Sequence, residues 1–169
     1  MNTNANGNPP GQPQEGAPDT APQLNCLTQY IKDFSFENPN APGSIAGLQS
    51  QPNINVNVNV AANQLGDNDY EVTLTLDGRA EANGTLLYNF ELTYGGAFRM
   101  FNMPQDAVQQ ILMVDCPHLL FPFAREIVAS SVGNSGFPPL LLGAINFFAL
   151  FQQRIAELQA EAPAAGAPN

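Results

Sequence analysis

The sequence predicts an α+β fold in which a four-stranded antiparallel sheet precedes C-terminal helices that pack on one face of it. The prediction depends on two patterns. Apolar and polar residues alternate through most of the first half of the folding unit, which is typical of strands with one covered and one wet face. Beyond Gly95-Gly96 the apolar residues recur at helical spacing. Strands followed by helices indicate an α+β architecture.

The first two strands are separated by a long irregular stretch. One face of the segment Thr28–Phe36 is mostly apolar, which predicts a strand. Residues 38–52 contain early prolines and little periodicity, so we expect a crossover loop there. The segment Asn53–Val60 then alternates asparagines with aliphatic residues, and this strict period of two predicts the second strand.

The third and fourth strands are predicted to form a hairpin. Alternation resumes at Tyr70, and the strand extends as far as Ala82. The dipeptide Asn83-Gly84 that follows is the favoured sequence of a two-residue hairpin turn. The return strand points four apolar residues inward, namely Leu86, Tyr88, Phe90 and Leu92.

The helical half is predicted to contain three helices. The first covers Asp106–Val114 and is interrupted at Cys116-Pro117, because proline disfavours helix in the residue before it. The second begins near His118 or Pro122 and ends with Gly133 as its stop. The third is capped by Asn146. Its apolar stripe comprises Phe147, Leu150, Phe151, Ile155 and Leu158, with Arg154 among them.

The two ends of the chain differ in composition from this folding unit. Residues 1–22 hold five prolines and three glycines, with no aromatic and no basic residue, and residues 159–169 are rich in alanine and proline. Such segments bury too little apolar surface to offset their ordering entropy. We therefore predict a domain over 23–158 between a disordered N-terminal extension and a disordered C-terminal tail.

The charge balance excludes several kinds of partner. The 169 residues include 15 Asp and Glu against five Lys and Arg, for a net charge of −10. Five scattered cations cannot neutralise a phosphate backbone or hold an anionic membrane surface, so neither nucleic acid nor a membrane is an expected partner. No apolar run approaches the ~18 residues of a membrane span, and the start lacks the features of a signal peptide. We expect a cytoplasmic protein that meets basic partners.

No set of residues in the sequence predicts catalysis. The one histidine, His118, follows a proline near a helix start, where a capping or surface role is typical. One histidine and two distant cysteines do not provide the four ligands of a zinc site. No glycine pattern matches a dinucleotide or phosphate loop. We expect neither enzymatic activity nor a cofactor or metal.

Two features indicate binding. The helical half is nearly uncharged and contains more aromatic surface than one subunit with a one-faced sheet readily buries, which indicates an oligomer interface or a binding groove. In addition, strand parity points Asp33, Glu37 and Glu91 outward. A negative patch on a flat sheet suits a basic partner, although solvated charge alone is also consistent with the parity.

Several local strings, in the same order, resemble the SecB family of protein-export chaperones. The likeness covers about residues 25–158. The matching strings are Asp33–Pro42, Tyr70–Val72, Gly95–Phe98, Cys116-Pro117, Leu120–Glu126, Gly136–Leu140 and Asn146-Phe147.

The resemblance implies an ATP-independent chaperone that holds precursor proteins unfolded and delivers them to the translocation ATPase SecA. It implies a homotetramer, arranged as a dimer of dimers. The partner-binding acids of the family fall on Asp33, Glu37 and Glu91, which would meet the zinc-binding C-terminal tail of SecA; the zinc belongs to that partner. A client groove between the crossover loop and the last helix is implied at Pro39, Pro42, Ile45, Leu48, Phe147, Leu150 and Phe151.

The chain also departs from the family pattern. It has Asn89 where the family can carry a leucine beside the last of these acids, and its C-terminal tail has little charge. Both changes predict a weaker contact with SecA. Two alternatives stay open from the sequence, which are a SecB-like chaperone of a toxin–antitoxin system and a binder of small apolar ligands.

Overall fold

The computed structural model describes residues 20–46 and 51–161, and they form one antiparallel sheet with helices on one face. The strands are β1 (Gln23–Glu37), β2 (Asn53–Gln64), β3 (Asp69–Ala82) and β4 (Thr85–Phe101), and one helical turn, α1 (Gly43–Ala46), lies in the crossover between β1 and β2. Their order in the sheet is β1-β4-β3-β2, so β1 and β2 are its two edges. The predicted α+β class, the four strands and the crossover between the first two are confirmed.

The fourth strand is longer than the sequence predicted. It passes through Gly95-Gly96 and ends at Phe101, so the glycine pair does not mark the end of the sheet. Instead, the two glycines allow neighbouring side chains to pack closely against the strand. A Cβ atom at Gly95 would lie 2.8 Å from the ring of Tyr30, and one at Gly96 would lie 2.8 Å from the side chains of both Leu120 and Phe98.

The hairpin between β3 and β4 turns at Asn83-Gly84 as predicted. Both residues have positive φ, 52° and 76°, which a two-residue turn with the twist of the flanking strands requires.

The predicted break at Cys116-Pro117 is wrong. A short helix α2 (Gln105–Gln110) continues through a π-helical turn (Ile111–Asp115) directly into α3 (Cys116–Asn134). Pro117 is the second residue of α3, directly after the π-helical turn. The ring of His118 contacts the Val114 carbonyl oxygen through Nδ1 at 2.8 Å, so the histidine supports this irregular turn.

The predicted end of the long helix is also displaced. Helix α3 passes through Gly133 and ends at Asn134, and Gly136 adopts the positive φ of 95° that terminates it. The amide of Ser135 donates to the Ser131 carbonyl at 3.1 Å and closes the last turn.

Helix α4 (Phe147–Glu161) begins where the sequence predicted. The Asn146 side-chain oxygen accepts a hydrogen bond from the Ala149 amide at 3.0 Å, which confirms the cap. The helix continues three residues beyond the predicted limit of the domain at 158, because Gln159, Ala160 and Glu161 are good helix formers. Residues 1–19 and 162–169, which include most of the predicted disordered segments, lie outside the described residues.

The core lies between the inner face of the sheet and α3. Leu74, Leu76, Leu92 and Phe98 from the two central strands are fully buried against Leu120, Val128 and Val132 of the helix. Cys116 is buried beside them, and burial raises the pKa of its thiol to about 12. Because α3 covers the central strands, the edge strands β1 and β2 stay accessible on the helical side, and this positions the sites below.

Candidate functional site

The outer face of the sheet brings the three predicted acids together. Asp33 and Glu37 lie on β1, and Glu91 lies on β4 opposite Ser35, which is the residue midway between them. All three acids are exposed.

A fourth acid, Asp77 on β3, joins this group and was not predicted as part of it. Asp77 is exposed and directly opposite Glu91 in the β3–β4 register. The alternation of β3 in the sequence already indicates that Asp77 points outward. That it lies opposite Glu91 is known only from the register between β3 and β4. We call Asp33, Glu37, Asp77 and Glu91 the acidic face.

The five cations of the chain have partners other than the four acids of the acidic face. Three of them pair with other carboxylates, in the ion pairs Lys32–Glu71, Arg99–Asp69 and Arg79–Glu81. The guanidinium of Arg125 lies 5.8 Å from the centre of the Phe121 ring, and Arg154 hydrogen-bonds to β2. Within the described residues no ion pair reaches the acidic face, although Arg79 lies beside it, opposite Asn89.

Asn89, the departure from the family pattern, lies within this surface. Its side-chain amide donates to the Glu37 carboxylate at 3.2 Å. An asparagine here therefore supplies a hydrogen bond that orients an acid, whereas a leucine would supply apolar contact.

The carboxylate of Glu71, nearer the start of β3 than Asp77, is neutralised within the chain. The Lys32 ammonium lies 2.8 Å from it and is the main cause of its lowered pKa, and the Tyr30 hydroxyl donates to it at 2.5 Å. The same hydrogen bond raises the pKa of Tyr30 to about 12. Glu71 therefore fastens β1 to the rest of the sheet and adds little to the acidic face.

On the helical side, α4 passes over the edge strand β2 and leaves a cavity on each flank. The cavities have volumes of about 360 and 640 Å³. Residues that line both are Val60, Met113, Phe151, Arg154 and Leu158.

A third cavity of about 290 Å³ lies nearer the crossover loop. Its walls come from the end of that loop, from β2 and β4, and from the linker after α3. The tyrosine in it belongs to an aromatic group, with ring centroids 5.8 Å from Phe36 and 5.2 Å from Phe137. The lining residues are Gln51, Pro52, Ile54, Tyr88 and Phe137–Leu140.

These three cavities follow one strand. Along β2, the 290 Å³ cavity contains Ile54, the 360 Å³ cavity contains Val58 to Val60, and the 640 Å³ cavity contains Val60 to Asn63. We call this row the β2 groove. It extends from the last residues of the crossover loop to the far side of α4.

Two of the three helix residues predicted for a client groove line it. Leu150, 37% exposed, and the half-buried Phe151 do so. Phe147 does not, because it is fully buried and packs edge-on against the rings of His118 at 4.9 Å and Phe121 at 6.1 Å. Its position anchors the start of α4 on α3.

The predicted loop residues do not line the β2 groove. Pro39, Pro42 and Ile45 belong to a segment held at the C-terminal end of α3, where Asn38 donates to the Ser135 carbonyl at 3.2 Å. Helix α4 begins beside His118, near the opposite end of α3, so these two sets are not brought together within one chain. Leu48 lies outside the described residues.

The loop walls of the groove that sequence reasoning missed are Pro52 and the linker Phe137–Leu140. A signal for them existed, because Phe137-Pro138-Pro139 reads as a rigid linker and β2 alternates up to the end of the loop. Which strand the linker covers depends on the path of α3, which no local pattern gives.

A second apolar surface lies at the other edge of the sheet. Ile31 on β1 is 51% exposed, and Leu119 and Phe123 on consecutive turns of α3 are 46% and 52% exposed. The ring of Tyr94, which is opposite Ile31, stacks on Phe123 with centroids 6.4 Å apart. We call Ile31, Leu119 and Phe123 the β1 patch.

Two further observations concern the described part of the chain. It contains no group of three or more His, Cys, Asp and Glu residues that suits a metal ion. Across the same residues, none of the helices has the length and apolarity that crossing a bilayer requires.

The fold and these surfaces define a binding protein of the chaperone class, with an open groove on one side of a sheet and an acidic face on the other. The family model described as preprotein translocase subunit SecB matches residues 17–158. A protein-export protein SecB of Rhodopseudomonas palustris is 54% identical over 157 residues, which is 93% of this chain and 96% of that protein. A SecB of Bradyrhizobium is 53% identical over 163 residues and 96% of each chain.

The chain belongs to the SecB family, and it is a protein-export chaperone. Among solved structures, it resembles a SecB-like chaperone of Mycobacterium tuberculosis in complex with a peptide from an antitoxin, with a TM-score of 0.60 over 72% of this chain and 90% of that one. Their sequences are 14% identical, so this likeness concerns the fold alone.

Proposed function

We propose that this chaperone holds unfolded precursor proteins as extended segments along the β2 groove and delivers them to SecA through its acidic face. The observation that carries the proposal is the row of three cavities along one free strand edge. A chaperone that works without ATP must bind the unfolded state by mass action and release it to a partner, so an open groove and a separate docking face are both required.

The chemistry of the β2 groove suits clients of many sequences. Strand β2 contains no charged residue and pairs with β3 in unbroken register over its whole length. Its outer edge therefore offers main-chain hydrogen bonds to an extended chain, and these do not depend on the client sequence. Leu150 and Phe151 add apolar contact from above.

The acidic face suits a basic tail. Four exposed acids without an ion pair among the described residues attract a cationic segment, and a flat sheet surface accepts it without rearrangement. The family resemblance assigns Asp33, Glu37 and Glu91 to the zinc-binding tail of SecA. The direct opposition of Asp77 and Glu91 supports adding Asp77 to that surface.

We also propose the homotetramer of the family, assembled in the cytoplasm, where precursors meet SecA before export. The β1 patch supports association, because three large apolar side chains at one sheet edge are about half exposed in the single chain. Burial of this patch between copies would remove Ile31, Leu119 and Phe123 from water.

The test is aggregation of a chemically unfolded precursor, measured by light scattering without nucleotide. Wild-type protein should suppress aggregation, and Leu150→Glu should not, because it places a charge in the groove. The matched control Gln152→Glu, on the same helix and outside the cavities, should behave as wild type. Equal suppression by both variants would contradict the groove.

The delivery step has its own test. Glu91→Gln and Asp33→Asn should weaken binding of the SecA tail, measured by calorimetry at low salt, and should leave suppression of aggregation unchanged. Unchanged affinity for the tail would contradict the acidic face as the docking site. Capture of an antitoxin in place of SecA and precursors would favour the toxin–antitoxin alternative.

A further inference from the structure

Arg154 has an unusual position for the sole cation of the β2 groove. Its guanidinium lies 3.3 Å from the Asn59 side-chain oxygen and 3.4 Å from the Val60 carbonyl oxygen, both on the edge strand. Within the described residues it forms no ion pair, although Glu157 lies one turn away on the same helix and accepts a hydrogen bond from Gln153 instead.

The Val60 carbonyl belongs to the free edge of the sheet. In an antiparallel ladder, the N–H and C=O of one residue point to the same side, and the side alternates along the strand. A carbonyl that accepts from α4 therefore points away from β3. The same parity gives outward backbone groups to every second residue of β2, in the set Ile54, Val56, Val58, Val60 and Ala62.

Apart from the crossing of α4, this edge has little protection against strand addition. Natural edge strands are blocked by bulges, prolines, charges or a covering element. Strand β2 has no bulge, proline or charge, whereas the other edge strand, β1, has two register shifts. Arg154 lies midway along β2, where the two cavities beside α4 meet.

We propose that Arg154 guards the β2 edge. Its guanidinium occupies the carbonyl of Val60 in the empty groove, and a client strand binds by displacing it with a main-chain N–H. This inference rests on the proposed use of the β2 groove. Its two N···O distances, 3.3 and 3.4 Å, are at the long end of the hydrogen-bond range, and Arg154 is exposed on α4.

The guard also selects its occupant. A segment that donates main-chain N–H groups replaces what the guanidinium gives up, whereas an apolar molecule without donors leaves the Val60 carbonyl unpaired. Burying an unpaired carbonyl is costly. Arg154 thereby favours extended polypeptide over small apolar ligands in a groove that has apolar side chains on both its strand and its helix walls.

The experiment compares Arg154→Met with the control Gln152→Met, which adds the same side chain on the same helix outside the cavities. The probe is a fluorescent, unstructured apolar peptide, and a second copy carries N-methyl groups at alternate residues. Arg154→Met should bind the plain peptide about threefold to tenfold more tightly, because one competing hydrogen bond is removed. The gain should be absent for the methylated peptide and for the control.

Two results would overturn the guard. Weaker binding of the plain peptide by Arg154→Met would show that the guanidinium contacts the client. Equal affinities of wild type and variant would show that Arg154 has no effect on client binding. Both leave the proposed function intact. If wild-type protein fails to bind the plain peptide at all, the use of the groove itself is contradicted.

Discussion

Asp77 and Glu91 lie directly opposite each other on adjacent strands of the outer face. Like charges in this position destabilise a sheet. The chain therefore carries a pair that weakens its own fold slightly, at the surface where a basic partner would relieve the repulsion.

The first prediction follows from that pair. Asp77→Asn should raise the free energy of unfolding by about 0.2–1 kcal/mol and should weaken binding of a basic tail. Urea titration and calorimetry measure the two effects. Asp67→Asn, in the turn after β2, removes one charge away from the acidic face and is the control. A stability loss in Asp77→Asn would show that this carboxylate is structural.

The second prediction concerns pH. The Lys32 ammonium lowers the pKa of Glu71 below its ordinary 4.5. The stability from this pair is present above about pH 4.5 and is lost as the pH falls through the lower pKa of the folded state. Urea midpoints below pH 4.5 should fall less steeply in Glu71→Gln and in Lys32→Met than in wild type. Parallel curves for all three proteins would refute this.

The third prediction separates the anchor of α4 from its surface. Phe147→Ala should cost about 3–5 kcal/mol, because it removes a fully buried ring between His118 and Phe121. Phe148→Ala, at a side chain that is 44% exposed, should cost far less. Thermal unfolding measures both, and limited proteolysis should release α4 in Phe147→Ala alone. Equal losses would mean that Phe147 is not the anchor.

The fourth prediction tests a close approach in the sheet. A Cβ atom at Gly78 would overlap the ring of Phe90 on the neighbouring strand. Gly78→Ala should therefore destabilise the protein by about 1–3 kcal/mol through overpacking. Gly43→Ala, where nothing lies within 4 Å, should have a small effect. A neutral result at Gly78 would show that the ring moves aside freely.

The sequence predicted those parts of the fold that have local causes. The period of two in β2, the Asn83-Gly84 turn and the Asn146 cap are each specified by a few neighbouring residues, and the structure contains all three. The errors arose where tertiary packing overrides a local rule. Gly95-Gly96 continues a strand because Tyr30 and Leu120 pack onto it. Cys116-Pro117 does not interrupt the helix, and a π-helical turn leads directly into α3 at this point.

The site residues, too, were predictable from the sequence only where a local pattern determines their position. Parity alone placed Asp33, Glu37 and Glu91 outward, since facing is a local property of a strand. Parity could not show that Asp77 lies beside Glu91, because that depends on the register between β3 and β4. It also could not show that Phe147 is buried while Leu150 lines a groove, because that depends on where α4 crosses β2.

The central claim is that an unfolded client lies along β2 beneath α4. Photo-crosslinking tests it most directly, with a benzophenone side chain placed at Leu150 or, as a control, at Gln152. An unfolded precursor should crosslink from position 150, with the attachment point on the client varying, and the same precursor once folded should not. Crosslinks from position 152 that equal those from 150, or none from 150 while aggregation is still suppressed, would contradict the claim.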